Sequence, residues 1–152
     1  MILSRRTFFL AAAAVPLAVS LVPKAHAGIA PVYAEKGIAI DGTDAVAYFT
    51  DARPIAGSSD FTHDWNGATW RFSSAKNLAA FIKNPTDYAP QYGGYCAYAV
   101  SEGNIASTIP EAWKIVDGKL YLNYSRRFHR KWERNIPDRI AAADANWPKI
   151  IA

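Results

Sequence analysis

The residues of this chain that could carry out chemistry surround its single cysteine, Cys96. The thiol follows the only Gly-Gly pair, Gly93-Gly94, and lies among Tyr92, Tyr95 and Tyr98. A thiol binds soft metal ions or attacks electrophiles, and a tyrosine ring offers an apolar face with a polar tip. The glycines allow a sharp turn or the close approach of a ligand or chain segment. Three interpretations stay open: a metal centre on the thiol, an aromatic ligand pocket of these glycines and tyrosines, or a small core residue.

Two histidines are the other soft ligands after residue 27, His63 and His129. Cu(I) favours thiolate and imidazole, so a copper site would join Cys96 to one of them. Period-two alternation predicts that His63 shares a strand face with Phe61 and Trp65, toward the apolar side or a cleft. His129 lies on a basic helix and is predicted to face solvent. We therefore expect His63 to be the better partner for the thiol.

Alternation around the thiol predicts a strand in which Cys96 shares a face with Tyr98 and Val100. A reactive thiol needs a lowered pKa, which a nearby cation, a metal or a helix N-terminus provides. Lys83 and Lys114 are the nearest basic residues in the sequence, and a strand offers no helix N-terminus. We therefore predict a thiol that reacts slowly in the folded chain.

Motifs of known catalytic sites are absent from the sequence. It contains no Gly-x-Ser-x-Gly, no His-Glu-x-x-His and no phosphate-binding glycine loop. A Cys-His nucleophile oriented by Asp64 stays open as an enzyme or redox alternative. The other acids of this region, such as Asp60, fall at turns where Asp side chains bind their own backbone. Binding is therefore expected rather than catalysis.

The N-terminal 27 residues have the order of a cleavable signal peptide. Arg5-Arg6 precedes an apolar, alanine-rich stretch, and Ala25-His26-Ala27 forms a small-residue cleavage site. The paired arginines followed by Thr7-Phe8-Phe9 are typical of a twin-arginine signal. We expect cleavage near Ala27 and an exported, periplasmic product.

Removing this segment changes the charge of the protein. The formal net charge falls from +4 to +1, because residues 1–27 carry three cations and no acid. The remaining basic stretch runs from Arg126 to Arg134 and includes Glu133, a pattern typical of a solvated helix face. Neither nucleic-acid binding nor a membrane span is expected of residues 28–152.

Two segments with the same layout predict the fold class. Asn66-Gly67 and Asp117-Gly118 are hairpin turns between short strand-like runs. Ser74 and Ser125 follow as helix N-caps, so a strand-turn-strand-helix unit occurs twice. The predicted class is α+β, a small single domain of short antiparallel β-hairpins packed against helices.

The domain boundaries follow from the same patterns. Residues 28–36 have no period and are predicted to be a mobile leader, and 37–148 form the domain. A last helix is predicted to begin at Pro137 and to end before Pro148. The five tryptophans and eight tyrosines all lie after residue 27, more than a small core needs. Some of them are expected to line a pocket or a surface that docks another exported protein.

Four segments together resemble the YHS domain family, and more narrowly its exported bacterial branch, in which one domain fills the processed protein. The segments are Gly42 to Phe49, Trp65 to Ser74, Asn84 to Tyr98, and Trp113 to Tyr124 followed by Trp132. The resemblance implies a metal-binding role, because short YHS modules accompany metal-transporting ATPases and some oxygenases, where they are thought to bind metal.

The chain departs from the family where the metal ligands would be. Those modules place one cysteine after an Asp-Pro-Val element and another after a Tyr-His-Phe element, whereas this chain has Ala47 and Ser73 there. The family's Tyr and His fall on Trp70 and Arg71, and only Ser74 of the three naming residues remains. Further candidate site residues are Asp44, Trp70, Arg71 and His129.

The sequence thus predicts an exported, non-catalytic YHS-like domain that binds or handles a metal ion, copper first, through Cys96 and His63. The alternative is a metal-free module that binds a small ligand or a protein partner through the Gly-Gly turn and its tyrosines. The second alternative is a cysteine-dependent enzyme or redox protein.

Overall fold

The structure of the protein is a computed structural model that describes residues 28–152. The predicted signal peptide lies outside the described residues. The strands are β1 (Ala34–Glu35), β2 (Ile38–Ala39), β3 (Ser58–Trp65), β4 (Ala68–Phe72), β5 (Trp113–Val116) and β6 (Lys119–Leu122). The helices are α1 (Ala47–Thr50), α2 (Ala75–Lys83), α3 (Pro85–Tyr88), α4 (Ala97–Ser101), α5 (Arg126–Glu133) and α6 (Ile136–Ile150). Short 3-10 turns cover Ile40–Gly42 and Gln91–Gly94.

Two sheets form from these strands. The larger has the order β1-β2-β4-β3, in which β2 pairs with β4 in parallel and the other pairs are antiparallel. The smaller is the hairpin of β5 and β6. Helices and short sheets in one chain confirm the predicted α+β class, and the strand-turn-strand-helix unit occurs twice as expected.

Local sequence explains why each hairpin is followed by a helix. Asn66 and Asp117 adopt positive φ at the two turns, each followed by a glycine that does so without steric cost. Ser74 Oγ accepts from the backbone N–H of Asn77, 3.1 Å away, and so caps α2. Ser125 caps α5 in the same way.

Strand β6 separates two cores. Its alternate side chains point to opposite faces, so Leu120 and Leu122 enter the first core while Tyr121 enters the second. The first core gathers the aromatic rings of the large sheet and α2, among them Trp70 and Phe81. The second core lies under α4, α5 and α6 and contains Tyr92, Tyr95, Val100, Tyr121, Trp132 and Ala143. The second hairpin therefore contributes side chains to both cores, and the first hairpin to the first core.

The segment 28–36 is packed, in contrast to the expected mobile leader. Val32 is buried, and Tyr33 donates its backbone N–H to Gly93 O, 2.9 Å away. A Cβ on Gly93 would lie 1.9 Å from Pro31 O, so only glycine lets this segment cross. The glycine of the central turn thus accommodates a chain segment.

The last helix is longer than predicted. α6 continues through Pro148 to Ile150, because a proline so near the end removes only one helical hydrogen bond and Ile150 packs against the second core. Among residues 28–152, no helix has the length and apolar character needed to cross a membrane.

Candidate functional site

Cys96 lies at the start of a helix, so the predicted strand around it is wrong. Its Sγ accepts from the backbone N–H of Ala99, 3.5 Å away, as the N-cap of α4. At the other end of α4, Asn146 of α6 donates to the carbonyls of Val100 and Ser101. These contacts satisfy helical groups that would otherwise stay unpaired. Contacts from α6, which is distant in the sequence, therefore stabilise a helix where the alternation of side chains predicted a strand.

A buried amide connects the thiol to an imidazole. Asn123 is fully buried, and its Oδ1 accepts from the backbone N–H of Tyr98 at 3.1 Å and from Cys96 Sγ at 3.7 Å. Because a backbone N–H can only donate, this contact fixes the oxygen end of the amide. The Nδ2 end then donates to His129 Nδ1, 3.3 Å away. The order of the bridge is Cys96, Asn123, His129.

The bridge continues to the surface through α5. Since His129 Nδ1 accepts a hydrogen bond, the proton of the neutral ring lies on Nε2. That nitrogen is 3.5 Å from Glu133 Oε1, which also binds Lys114 Nζ at 2.7 Å. The His129 side chain keeps only 16% of its exposure, so the prediction that it faces solvent is wrong.

Burial keeps both ends of the bridge neutral. It raises the pKa of the Cys96 thiol above its ordinary value, although the backbone N–H groups of α4 oppose the shift. Burial also lowers the pKa of His129, and Glu133 only partly offsets that effect. A helix N-terminus is present at the thiol, contrary to expectation, but desolvation is the larger effect. The site at neutral pH therefore holds a thiol and a neutral imidazole.

An apolar cavity of about 220 Å³ opens beside the thiol. Its lining consists of small and aromatic side chains without a polar surface: Cys96, Tyr98, Ala99, Ala106, Tyr124 and Phe128. The Tyr98 and Phe128 rings stand 5.2 Å apart between centroids, and Tyr124 keeps 49% of its exposure at the edge. The cavity thus joins a buried thiol to solvent through aromatic walls.

His63 lies in a different part of the domain from Cys96. It shares a face of β3 with Phe61 and Trp65, as predicted, and its ring centroid is 6.4 Å from that of Phe81 in the first core. Cys96 contacts Asn123 in the second unit instead. The structure does not bring the predicted metal pair together.

The predicted ligand pocket of glycines and tyrosines does not form as a group. Tyr92 and Tyr95 are buried in the second core, where Tyr92 Oη donates to Asp144 Oδ1 at 2.9 Å. Gly93 and Gly94 have positive φ and lie in the turn between these two rings. Only Tyr98 reaches the cavity, because the helical turn of α4 rotates it away from the others.

Asp44 is a buried structural carboxylate. It is fully buried, and five neutral donors bind it at 2.6 to 3.2 Å. They are the backbone N–H groups of Val46, Ala47 and Ser73, the hydroxyl of Ser73 and the amide of Asn77. The first two donors shape the turn into α1. With both oxygens occupied, this carboxylate has a complete set of partners.

Trp70 and Arg71 are neighbours on strand β4. Trp70 is buried, and its Nε1 donates to Trp65 O at 3.0 Å. Arg71 Nε is buried and has no partner within residues 28–152, and the side chain packs against Gly42. Neither residue contacts the cavity.

The residues at the family's ligand positions do not fit a metal centre. Ala47 is buried and its side chain has no atom that could bind a metal, and Ser73 Oγ donates to Asp44 Oδ2 at 2.6 Å. In the described part of the chain, no three His, Cys, Asp or Glu side chains come together as ligands. A thiolate pair of the family type is therefore excluded by the residues themselves.

Comparisons with known proteins add no relatives. No family model matches the chain, and searches of curated proteins and of solved structures found no match. The resemblance to the YHS family stays a prediction from the sequence.

Proposed function

We propose that the protein binds a small molecule in the cavity beside Cys96, and that it acts as a binding domain rather than an enzyme. The observation that carries the proposal is the wholly apolar lining of a cavity of about 220 Å³ that opens to solvent. An apolar cavity of about 150 Å³ is large enough for benzene in another protein. The cavity therefore suits a ligand with a single ring or a short aliphatic chain.

The walls of the cavity are preorganised for such a ligand. Ala99 and Cys96 are held by the cap of α4, and Phe128 by the first turn of α5. Preformed walls lower the entropic cost of binding, so a ligand of seven heavy atoms is expected to have a dissociation constant on the order of 0.1 to 1 mM.

The test is titration of the full-length chain with toluene, followed by NMR or calorimetry. A filled-cavity variant, Ala106→Leu, is expected to abolish saturable binding because its side chain occupies the ligand volume. Ala79→Leu, at an exposed position of α2 that does not line the cavity, is the matched control. Thermal unfolding shows that each variant is folded, and unchanged toluene binding by folded Ala106→Leu would refute the proposal.

A copper(I) site is a second proposal, and the amide bridge supports it in a form that differs from the sequence prediction. Cys96 and His129 bind the two ends of the Asn123 amide, so one amide group separates the thiol from the imidazole, and a metal ion bound by both would have to displace it. Two such ligands suit Cu(I). Loss of the thiol proton would be needed, and the raised pKa of Cys96 opposes it.

Cu(I) titration of the full-length chain tests this second proposal. Stoichiometric binding is expected to be lost in Cys96→Ser and His129→Gln and retained in the control His63→Gln. Equal affinity in the parent chain and Cys96→Ser would remove the thiol from any metal site. Export to the periplasm stays part of both proposals, with residues 1–27 of the sequence as its support.

A further inference from the structure

The basic character of helix α5 is unexplained by the fold or by the proposed function. Four of its eight residues are cations, Arg126, Arg127, Arg130 and Lys131, and its single acid is Glu133. Glu133 is occupied by Lys114 from β5. The helix that supplies one wall of the cavity through Phe128 therefore carries an uncompensated positive charge.

Lys131 is the cation of α5 that lies closest to the rings of the cavity. Its Nζ is 5.1 Å from the centroid of Phe128 and 5.9 Å from that of Tyr98. No salt bridge to Lys131 is found among residues 28–152, although the side chain is half-buried. Its charge is balanced only by the faces of two rings, which is a weak form of compensation.

Arg139 provides the contrast. Its guanidinium lies 4.3 Å from the centroid of Tyr98, but Glu102 binds its Nη1. The Glu102 carboxylate therefore already compensates the charge of Arg139. Lys131 is thus the cation beside the cavity that remains available to an anion.

From these observations we infer that the ligand of the cavity is a small organic carboxylate, with its apolar part against the rings of Tyr98 and Phe128 and its carboxylate on Lys131. This inference rests on the proposed function and names the chemical class of the ligand. The apolar lining offers no partner to a polar group inside the cavity, so the carboxylate must lie outside it, toward the flexible lysine whose ammonium lies over the Tyr98 and Phe128 rings. Benzoate, with one ring and one carboxylate, has the required size and charge.

The experiment compares three probes on the full-length chain by calorimetry or NMR at neutral pH. Benzoate has the ring and the charge, benzamide has the same shape without the charge, and acetate has the charge without the ring. Benzoate is expected to bind about tenfold more tightly than benzamide, the range of a hydrogen bond to a charged group. Acetate is expected to show no saturable binding.

Variants assign the preference to Lys131. Lys131→Met removes the charge and keeps the apolar stem, so benzoate and benzamide are expected to bind equally. Lys131→Arg is expected to keep most of the preference, and Lys76→Met, an exposed lysine of α2, is the matched control. The benzoate preference of the parent chain should also shrink as salt rises from about 0.05 to 0.5 M, because salt screens a partly exposed pair.

The outcomes separate this inference from the proposed function. Equal binding of benzoate and benzamide by the parent chain would overturn the inference and leave the cavity as a neutral site. A preference that survives in folded Lys131→Met would overturn it as well, since the anion would then be recognised elsewhere. Absence of binding by toluene, benzoate and benzamide alike would refute the proposed function itself.

Discussion

The two hairpin units of the domain have the same order of elements, but a different polar residue precedes the first helix of each. We call this residue the hub of its unit. In the first unit Asp44 precedes α1, and the hairpin β3-β4 and helix α2 follow. In the second unit Cys96 precedes α4, and the hairpin β5-β6 and helix α5 follow. Each hub accepts from a backbone N–H three residues on, Ala47 for Asp44 and Ala99 for Cys96. The repeated unit is thus longer than the strand-turn-strand-helix pattern in the sequence.

The hubs differ in how completely their partners satisfy them. Asp44 has five donors, which hold the start of α1, the end of β4 and α2 together. Cys96 has long contacts to Ala99 and Asn123, and a cavity beside it. A charge needs many donors in a core, whereas a weakly polar thiol can border empty space at little cost. The same order of elements therefore gives a closed unit, in which the hub Asp44 has all its partners, and an open unit, in which the hub Cys96 borders a cavity.

The substitution expected to change the free energy of unfolding most is that of Asp44, the hub of the closed unit. Asp44→Ala leaves five buried or partly buried donors without an acceptor, so the free energy of unfolding should drop by about 4 kcal/mol. Urea unfolding measures the change. Asp60→Ala removes an exposed acid and should stay within about 0.5 kcal/mol. Equal losses in the two variants would mean that Asp44 does not hold the first unit together.

The corresponding substitution in the open unit should cost less. Asn123→Ala removes the acceptor of Tyr98 N–H and the donor to His129, and should lower the free energy of unfolding by about 2 kcal/mol. Urea unfolding again provides the measurement, with the exposed Asn104→Ala as the control. A loss larger than that of Asp44→Ala would reverse the proposed contrast between the units.

The Cys96 thiol of the open unit should react slowly, but measurably, with a thiol reagent. Its raised pKa keeps it protonated, so labelling of native Cys96 at pH 7 should be about tenfold slower than that of a free cysteine peptide. Denaturant should restore the full rate. A stoichiometric reaction of the native chain at the rate of the peptide would instead favour the enzyme or redox alternative.

The smallest effect is a pH dependence confined to the open unit. A thiol with a raised pKa in the folded state holds its proton longer than the unfolded chain does, so its contribution to stability is complete below the ordinary thiol pKa and falls as pH rises above it. Between about pH 7.5 and 9.5 the parent chain should lose up to about 1 kcal/mol more than Cys96→Ser. Parallel stability curves for the two chains would contradict the raised pKa.

Local rules predicted the hairpins and the longer helices. Asn66-Gly67 and Asp117-Gly118 form the turns, and Ser74 and Ser125 cap the helices, because these signals act within a few residues. His63 faces the apolar side of β3 for the same reason. The predicted strand around Cys96 does not form, because a run this short can also adopt a helical turn. Contacts from α6 then stabilise that turn as helix α4.

The site residue that sequence reasoning missed is Asn123. The sequence held one signal for it. Gly67 and Gly118, like Ser74 and Ser125, are 51 residues apart, so Phe72 is the residue equivalent to Asn123, and the first core needs an apolar side chain there. A buried amide in its place indicates a local requirement for hydrogen bonds. The partners, Tyr98 and His129, lie on other elements and are not visible as a motif.

The sequence by itself determined the class of the fold, the two hairpin units and the caps that begin their helices. Each of these depends on residues within one or two turns of the chain. Only the tertiary structure decided which polar groups meet, since Asp44 reaches Asn77 across 33 residues and Cys96 reaches Asn123 across 27. It also decided that Cys96 borders a cavity and that His63 does not reach it. Burial and pairing depend on how separate elements pack, and no local pattern encodes that arrangement.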